Sequence, residues 1–299
     1  MIPTLSDDDV GRVLRYERLI PAMERALSDF SAGRVIQPLR NVLTIEEGKR
    51  FVGIMPAIAE NGMGAKFVCF FPKNAGTGLP THHAMIMLFD PDNGRPLAFM
   101  DGRLITEMRT AAVSAAVTKY LAPESSKVLA LLGSGVQALA HLRALRQVCR
   151  FDEVRVWSRS QDHAQRFAAL HGARAAALEA AVKGADVIVT ATSAQEPILK
   201  GEWLKPGAHV NAIGSARPVW RELDDEAMHN TLIVDSREAA LKEAGDVIMA
   251  KAAIFAEAGE MFTGLKVPDR SQTTVFKSVG IAVEDMAAAR LVYNAVMAA

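Results

Sequence analysis

The chain has 299 residues, of which 50% are hydrophobic, so it can bury the cores of two ordinary domains. Lysine plus arginine and aspartate plus glutamate number 34 each, and this balance excludes a strong overall attraction to nucleic acid or to an anionic membrane. Because the N-terminus "MIPTLSDDDV" is acidic and no apolar run approaches the ~20 residues of a membrane span, we expect a soluble cytoplasmic protein.

Residues 1–112 are predicted to form a mixed α+β domain. Two short helices come first; Ser6 is a candidate N-cap of the first, and Gly33 closes the second. The apolar residues then alternate as in strands, in the segments "RNVLTI", "RFVGIMPAI", "AKFVCFF", "HAMIMLFD" and "PLAFMD", the last two joined by the turn "PDNGR". Consecutive strands with turns predict a largely antiparallel sheet with helices on one side.

Residues 113–280 are predicted to form a doubly wound parallel α/β domain. An alanine-rich helix over residues 106–122 leads into it and ends before Pro123. Short apolar strands then alternate with helices, in "KVLALLG", "VQALAHLRALRQV", "EVRVWS", "DHAQRFAALHG", "DVIVTATS", "HVNAIGS", "TLIVDS", "REAALKEAG" and "TTVFKS". Such strands are typical of a parallel sheet covered on both faces. We expect the final helix, residues 281–299, to return to the first domain.

A glycine turn in the segment "VLALLGSGVQALAHL" predicts a dinucleotide site. Gly133, Gly135 and Ala138 fit the pattern G-x-G-x-x-A directly after a strand and at the start of a helix. The first glycine permits the tight turn, the second lets the backbone approach a pyrophosphate, and the helix N-terminus favours the anion. The predicted contacts are Gly133, Ser134, Gly135, Val136 and Gln137.

The end of the next strand predicts which dinucleotide binds. Proteins that bind NAD usually carry a carboxylate there, which hydrogen-bonds the adenosine ribose. Asp152 and Glu153 precede "VRVW" and so lie at the wrong end, whereas Ser158, Arg159 and Ser160 follow it. A guanidinium with two hydroxyls suits a 2′-phosphate, so the sequence predicts NADPH. The alternative is that Arg159 is a solvated surface cation.

Three cations lie in otherwise apolar parts of the first domain and of the helix that follows it. They are Arg40 after "IQPL", Lys66 in "GMGAKFVCFF" and Arg109 in the long helix. A buried charge is costly unless it is paired. If the three face one cleft, they form a clamp for the carboxylate of a small-molecule substrate. Otherwise their charged ends reach solvent or pair with acids elsewhere in the fold.

His82 and His83 are adjacent at the start of a predicted strand. Neighbouring residues of a strand point to opposite faces, so the pair is poorly suited to hold one metal ion, and no metal site is predicted. His82 is a candidate proton donor toward the cleft. A structural histidine is the alternative.

Several collinear segments resemble the ornithine cyclodeaminase and mu-crystallin family, most closely its ketimine reductase branch of mu-crystallin type. They include "VGIMPA", "PTHHAMIMLFDPDNG", "MDGRLITEMRTAAVSA", "LLGSGVQA", "GEWLKPGAHVNAIGSARPVWRELDDE" and "TTVFKSVGIAVED", and the resemblance runs over nearly the whole chain. It implies a homodimer in which the mixed domain is the dimer platform, and a Rossmann domain that holds the nicotinamide cofactor.

The resemblance also implies roles for individual residues. Arg40, Lys66 and Arg109 match the positions that hold the substrate carboxylate. Cofactor-contacting positions are matched by the glycine turn and by Thr110, Ser158, Arg159, Ser160, Thr190, Thr192 and Ser278.

One position departs from the family pattern. Cyclodeaminases and related alanine dehydrogenases carry an aspartate in the turn after "NAIG", facing the reacting carbon and amine, whereas this chain has Ala216 there. A methyl group can neither orient water nor take a proton. Ornithine cyclisation with loss of ammonia is therefore disfavoured.

These features predict an NADPH-dependent reductase of cyclic ketimine carboxylates such as piperideine-2-carboxylate or pyrroline-2-carboxylate. Hydride adds readily only to a protonated imine; Lys66 is the first candidate for the acid, because desolvation beside arginines lowers a lysine pKa, and His82 is the second. Two alternatives stay open. One is a dehydrogenase or imine reductase acting on open-chain amino acids or keto acids, and the other is a protein that keeps NADPH and binds a hormone-like carboxylate.

Overall fold

The structure is a computed structural model that describes residues 2–46, 49–60, 62–74 and 76–298. The chain forms two compact units, Met1–Arg109 together with Gly280–Ala299, and Thr110–Val279. The predicted boundaries, after residues 112 and 280, lie three residues and one residue from these divisions. None of the helices within the described ranges combines the length and the hydropathy needed to cross a membrane.

Helices and strands account for most of the described residues. The strands are β1 Thr4–Leu5, β2 Asn41–Glu46, β3 Arg50–Ala59, β4 Gly62–Phe70, β5 His82–Phe89, β6 Pro96–Asp101, β7 Val128–Leu132, β8 Glu153–Trp157, β9 Arg174–Ala175, β10 Val187–Thr190, β11 His209–Ala212, β12 Thr231–Val234, β13 Ile254–Glu257 and β14 Thr274–Lys277. The helices are α1 Asp7–Val13, α2 Tyr16–Ser31, α3 Arg103–Leu121, α4 Val136–Leu145, α5 Gln161–His171, α6 Leu178–Val182, α7 Asp225–Met228, α8 Arg237–Glu243, α9 Gly245–Ala250, α10 Ala258–Phe262 and α11 Ala282–Met297.

The first unit is built on one sheet with the strand order β1-β6-β5-β4-β3-β2. Strands β2 to β6 pair antiparallel, and the short β1 pairs parallel with β6. Inward and outward residues alternate; in β5, Ala84, Ile86 and Leu88 are buried while Met85 is 45% exposed. Helix α11 packs across β3, β4 and β5 and against α2. The predicted largely antiparallel sheet is confirmed.

The second unit contains a parallel sheet with the order β13-β12-β14-β11-β10-β7-β8-β9. Its central strands β10, β11 and β14 are buried at every residue, as expected for a sheet covered on both faces. The predicted doubly wound sheet is confirmed. Strands β9 and β13 were not predicted, because β9 has only two residues and β13 lies in the stretch "KAAIFAEAGEMF", which has no strand pattern.

The strand order of this sheet locates a ligand crevice. β7, the first strand of the unit, has β8 on one side and β10 on the other. The order in which successive strands are added to the sheet therefore reverses at β7. In doubly wound sheets ligands bind at this point, outside the carboxyl ends of the strands. Gly133 follows β7, Ser158 follows β8 and Ala191 follows β10. The predicted cofactor residues therefore share one edge of the sheet.

Local signals place several helix ends. Ser6 caps α1 by accepting from the N–H of Asp9, as predicted, and Gly33 just after α2 has a φ of 74°. The long helix α3 begins at Arg103, three residues before its predicted start. The side chain of Asp101 accepts from the N–H of Arg103 at 2.8 Å and so begins the helix earlier than the apolar pattern does.

Candidate active site

The three predicted clamp cations lie close together in the first unit. Lys66 on β4 and Arg109 on α3 are 1% and 5% exposed. Arg40 directly precedes β2, and its Nη2 donates to the carbonyl of Gly280 at 2.7 Å. A Cβ on Gly280, which has a φ of 75°, would lie 2.5 Å from Nη1 of Arg109. Both arginines therefore adjoin the same glycine, and only glycine fits there.

Two carboxylates for which no role was predicted join this cluster. Asp285 accepts from Nε of Arg109 at 3.0 Å and pairs with Nζ of Lys66 at 2.7 Å. Glu284 pairs with Nη1 of Arg109 at 2.5 Å. Both carboxylates are fully buried in the first turn of α11, where the helix N-terminus stabilises negative charge. The alternative that the cations pair with acids therefore applies to Lys66 and Arg109.

The cluster brings two guanidinium groups and one ammonium group together. The charges of Arg109 and Arg40 both act on Lys66. Guanidinium groups bind carboxylates through paired N–H donors, so the cluster suits a substrate carboxylate.

The environment of Lys66 makes it a better acid than an ordinary lysine. Its pKa falls from 10.5 to about 8, chiefly because burial penalises the ammonium form. The charge of Asp285 opposes this fall, and the charges of Arg109 and Arg40 add to it. At neutral pH Lys66 is therefore largely protonated and able to release its proton near the operating pH, which suits a general acid.

His82 shares a sheet face with Lys66 but lies at a distance. Lys66 stands opposite Ile86 in the pairing of β4 with β5, and Phe70 stands opposite His82. The four residues from Lys66 to Phe70 span about 13 Å of strand. The ring of His82 packs on Phe70 with centroids 4.6 Å apart. The structure does not bring His82 into the cation cluster, which favours Lys66 as the acid.

The glycine turn fits a dinucleotide. Gly133 has a φ of 126°, and a Cβ there would lie 2.6 Å from the carbonyl oxygen of Ala191, so glycine is required. Gly135 is the N-cap of α4, a Cβ on it would meet nothing within 4 Å, and no side chain in the described ranges caps this helix. An uncapped helix N-terminus beside open space suits a pyrophosphate, with Val136 and Gln137 in the first turn.

The end of β8 adjoins this turn. The hydroxyl of Ser134 donates to Ser158 at 3.0 Å, so the glycine turn and the predicted 2′-phosphate group are in contact. Ser160 caps α5 by accepting from the N–H of His163 at 3.4 Å. Arg159 lies between the two serines and is exposed. The three residues thus occupy the position expected for ribose recognition.

Glu153 is held at the opposite end of β8. Arg155 and Arg174 pair with it at 2.8 and 2.7 Å. Hydrogen bonds from these arginines lower the pKa of Glu153 to about 2. This carboxylate is therefore fixed away from the predicted cofactor edge.

Two predicted cofactor-contacting threonines serve an internal role. The hydroxyls of Thr190 and Thr192 donate to Glu222 at 2.7 and 2.6 Å. Thr190 is fully buried. Both hydroxyl hydrogens are therefore used in hydrogen bonds within the protein.

Two further predicted contacts are placed as follows. The hydroxyl of Ser278, just after β14, donates to Asp235 at 2.9 Å. Thr110 follows Arg109 in α3. Their contact with a cofactor stays a prediction.

The loop after β11 holds the position where the family pattern has an aspartate. Ser215 has a φ of 51°, a left-handed conformation that is rare for residues other than glycine, and its hydroxyl donates to the carbonyl of Ala194. Ala216 follows it with a methyl side chain. The loop is thus fixed by its own hydrogen bond and offers no carboxylate at this position.

The sequence carries a sign of burial for Glu284 and Asp285 but not for Glu222. Glu284 and Asp285 interrupt an apolar run in "GIAVEDMAA", the same feature that singled out Lys66. Glu222 stands in the acidic stretch "RELDDE", which reads as a solvated surface segment. The first pair was therefore predictable as buried charge, and Glu222 was not.

The comparisons with known proteins extend over the whole chain. Residues 4–299 match the model of the ornithine cyclodeaminase/mu-crystallin family. Ketimine reductase mu-crystallin from Mus musculus is 50% identical over 97% of this chain and 96% of its own length. The structure of Δ1-pyrroline-2-carboxylate reductase from Thermococcus litoralis in complex with NADH and L-proline has a TM-score of 0.93 at 34% identity and covers 99% of this chain and 98% of that one. An archaeal alanine dehydrogenase dimer with bound NAD has a TM-score of 0.93 at 32% identity, over 99% of this chain and 96% of that one.

Proposed function

The chain belongs to the ornithine cyclodeaminase/mu-crystallin family, and we propose that it is a nicotinamide-dependent reductase of cyclic ketimine carboxylates. It is an oxidoreductase of C=N bonds, and the proposed substrates are piperideine-2-carboxylate, pyrroline-2-carboxylate and similar rings, which yield cyclic amino acids. One observation carries the proposal. A buried lysine with a pKa of about 8 lies beside two arginines, so an acid and two guanidinium groups able to bind a carboxylate occur together.

The cluster accounts for both binding and proton transfer. Arg40, Arg109 and Lys66 bind the substrate carboxylate and so orient the adjacent C=N group, and holding reactants in attack geometry lowers the barrier. Lys66 donates its proton to the lone pair of the imine nitrogen, and the π electron pair of C=N becomes the lone pair of the amine when the adjacent carbon accepts a hydride. A bound reduced nicotinamide supplies the hydride for the new C–H bond. Asp285 holds Nζ of Lys66 in place, and solvent returns the proton after turnover.

The proposed cofactor is NADPH. Arg159 is exposed at the end of β8 between two serines, and a guanidinium binds phosphate with a planar fork of donors. Glu153, the nearest acid of the strand, is paired at its other end. The relative from Thermococcus litoralis is in complex with NADH, and the residues after β8 are the expected determinant of which nucleotide this chain binds.

The proposed assembly is a homodimer formed through the first unit. The outward face of its sheet carries Phe67, Met85 and Phe99, which are 42%, 45% and 36% exposed, while α11 covers the inward face. A contiguous apolar sheet face usually marks a protein interface. Light scattering should give twice the chain mass, and Phe67→Glu should yield monomers. A monomeric wild-type protein at micromolar concentration would refute this assembly.

A substrate panel tests the reaction. Purified protein is mixed with NADPH and a cyclic ketimine carboxylate, and in parallel with pyruvate plus ammonia or methylamine, while nicotinamide absorbance is followed. We expect oxidation with the ketimine. Faster oxidation with pyruvate plus amine would assign the open-chain activity that the fold shared with alanine dehydrogenase allows. No oxidation, together with saturable binding of the ketimine, would leave a ligand-binding protein. Ornithine is not expected to react, because Ala216 replaces the aspartate.

A further inference from the structure

A buried carboxylate in the second unit, Glu222, joins the loops that follow two neighbouring strands. Its Oε2 accepts from the hydroxyl of Thr190 at 2.7 Å and from the N–H of Gly214 at 3.0 Å. Its Oε1 accepts from the N–H and the hydroxyl of Thr192 at 2.7 and 2.6 Å. Glu222 itself has no exposed surface. One side chain therefore ties the end of β10 and the loop after it to the loop after β11.

A buried ion pair between Lys277 and Asp246 also fixes this region. Nζ of Lys277 lies 2.8 Å from Oδ2 of Asp246 and donates to the carbonyl of Gly214 at 2.6 Å. Oδ1 of Asp246 accepts from the N–H groups of Glu222 and Leu223 at 2.7 and 2.9 Å. Lys277 and Asp246 are both fully buried. The backbone and the side chain of Glu222 are thus fixed independently.

Close backbone packing connects these loops to the glycine turn. A Cβ on Gly133 would lie 2.6 Å from the carbonyl oxygen of Ala191. A Cβ on Gly214 would lie 2.6 Å from Oε1 of Glu222 and would overlap the carbonyl oxygen of Thr192. The turn after β7 and the loops after β10 and β11 therefore form one continuous wall at the carboxyl edge of the sheet.

The strand order indicates which half of a dinucleotide meets this wall. β8, with the predicted 2′-phosphate group, lies on one side of β7, and β10 and β11 lie on the other. A dinucleotide with its pyrophosphate at the turn after β7 and its adenosine at β8 extends its nicotinamide half past β10 and β11. We propose that Glu222 is a positioning residue that holds this wall in the shape that receives the nicotinamide half. The inference rests on the proposed nicotinamide-dependent function.

The hydrogen-bond donors around Glu222 require a carboxylate at this position. Four donors point at its two oxygens, and a glutamine would turn an NH₂ group toward Gly214 or Thr192. The pKa of Glu222 is raised, chiefly by burial; the charge of Lys277 and the hydroxyls of Thr192 and Thr190 oppose the rise, and the charge of Asp246 adds to it. An apolar residue would fill the space without the desolvation cost, so packing alone does not explain a charge here.

Glu222→Gln tests the proposal through two ligands that share the adenosine half. Calorimetry measures the affinity of the variant for NADPH and for adenosine 2′,5′-diphosphate, or for NADH and AMP where the wild type prefers NADH. We expect NADPH to bind about tenfold more weakly and adenosine 2′,5′-diphosphate to change by less than about twofold. The matched control is Glu226→Gln, which neutralises an exposed carboxylate four residues away and should alter neither affinity.

Two results would overturn the proposal. Equal weakening of both ligands would mean that Glu222 only maintains the domain, and unchanged NADPH affinity would mean that the nicotinamide half does not meet this wall. If Glu222→Gln does not fold, Thr190→Val removes one hydrogen bond to Glu222 at nearly constant volume and should give the same selective loss, about threefold. A wild-type protein that binds NADPH but reduces no ketimine would refute the proposed substrate. The comparison of NADPH with adenosine 2′,5′-diphosphate would still test the role of Glu222.

Discussion

Replacing Asp285 with asparagine should move the pH dependence of reduction to lower pH. Asp285 is the carboxylate nearest to the proposed acid, with Oδ2 2.7 Å from Nζ of Lys66. It favours the charged form of Lys66, while burial and the charges of Arg109 and Arg40 oppose that form. An amide removes the favourable charge and leaves the unfavourable contributions in place. The pKa of Lys66 must therefore fall.

The size of the change follows from the distance. An opposite charge at this range shifts a pKa by roughly 1 to 3 units, so the pKa of Lys66 should fall from about 8 to about 6. A lysine that donates a proton is active below its pKa and inactive above it. The protonated fraction at pH 7.5 then falls from roughly three quarters to a few per cent, which lowers the rate about twentyfold.

The assay is the initial rate of NADPH oxidation with saturating ketimine from pH 5.5 to 9.5. The imine titrates identically with both enzymes, so the difference between their profiles reports the protein alone. Glu284→Gln is the matched control, because it removes the same charge from the same helix turn but contacts Arg109 rather than Lys66. Superimposable profiles of the wild type and Asp285→Asn would refute Lys66 as the proton donor. A Lys66→Met variant with the same pH profile as the wild type would also refute it.

Three further substitutions test the rest of the site. Arg159→Ala should weaken NADPH about tenfold to a hundredfold and leave NADH nearly unaffected, because it removes a charge-assisted hydrogen bond to the 2′-phosphate; equal losses in a titration with both nucleotides would contradict this. Gly135→Val should keep its melting temperature, because a Cβ there meets nothing within 4 Å, and should lose NADPH binding by calorimetry; retained affinity would place the pyrophosphate elsewhere. Gly280→Ala should lower the free energy of unfolding by about 1 to 3 kcal/mol more than Gly33→Ala does. The two glycines have φ of 75° and 74°, but only the Cβ at position 280 would clash with Arg109, and equal losses in denaturant titrations would argue against that contact.

The fold was predictable where the signal is local. Strand β7 is a continuous apolar run, the glycine turn follows it directly, and Ser6 caps the first helix as its sequence indicates. Prediction failed for β9 and β13, whose two and four residues gain their strand conformation from pairing with neighbours. The start of α3 was misplaced because it is set by a hydrogen bond from the N–H of Arg103 to the side chain of Asp101, not by the apolar pattern.

The residue types of the site were predictable, but the contacts among them were not. Lys66, Arg109 and Arg40 were identified because charge in an apolar segment requires an explanation. Their mutual proximity was implied only by the family resemblance. The role of Asp285 was not predicted, because a buried charge requires a partner without specifying where along the chain it stands. Glu222 was missed for the opposite reason, since an acid among other acids carries no sign of burial.

The sequence by itself determined two units of different sheet type, a turn that only glycine can make, and a strand end without a carboxylate. These are consequences of periodicity, backbone conformation and residue order over short stretches, which require no knowledge of distant contacts. The tertiary structure alone decided that Arg109 meets Asp285 across 176 positions of the chain, and that Arg40 and Arg109 adjoin the same glycine. The pKa of Lys66 depends on burial and on charges brought in by packing, so the property that makes it a suitable acid arises only in the folded protein.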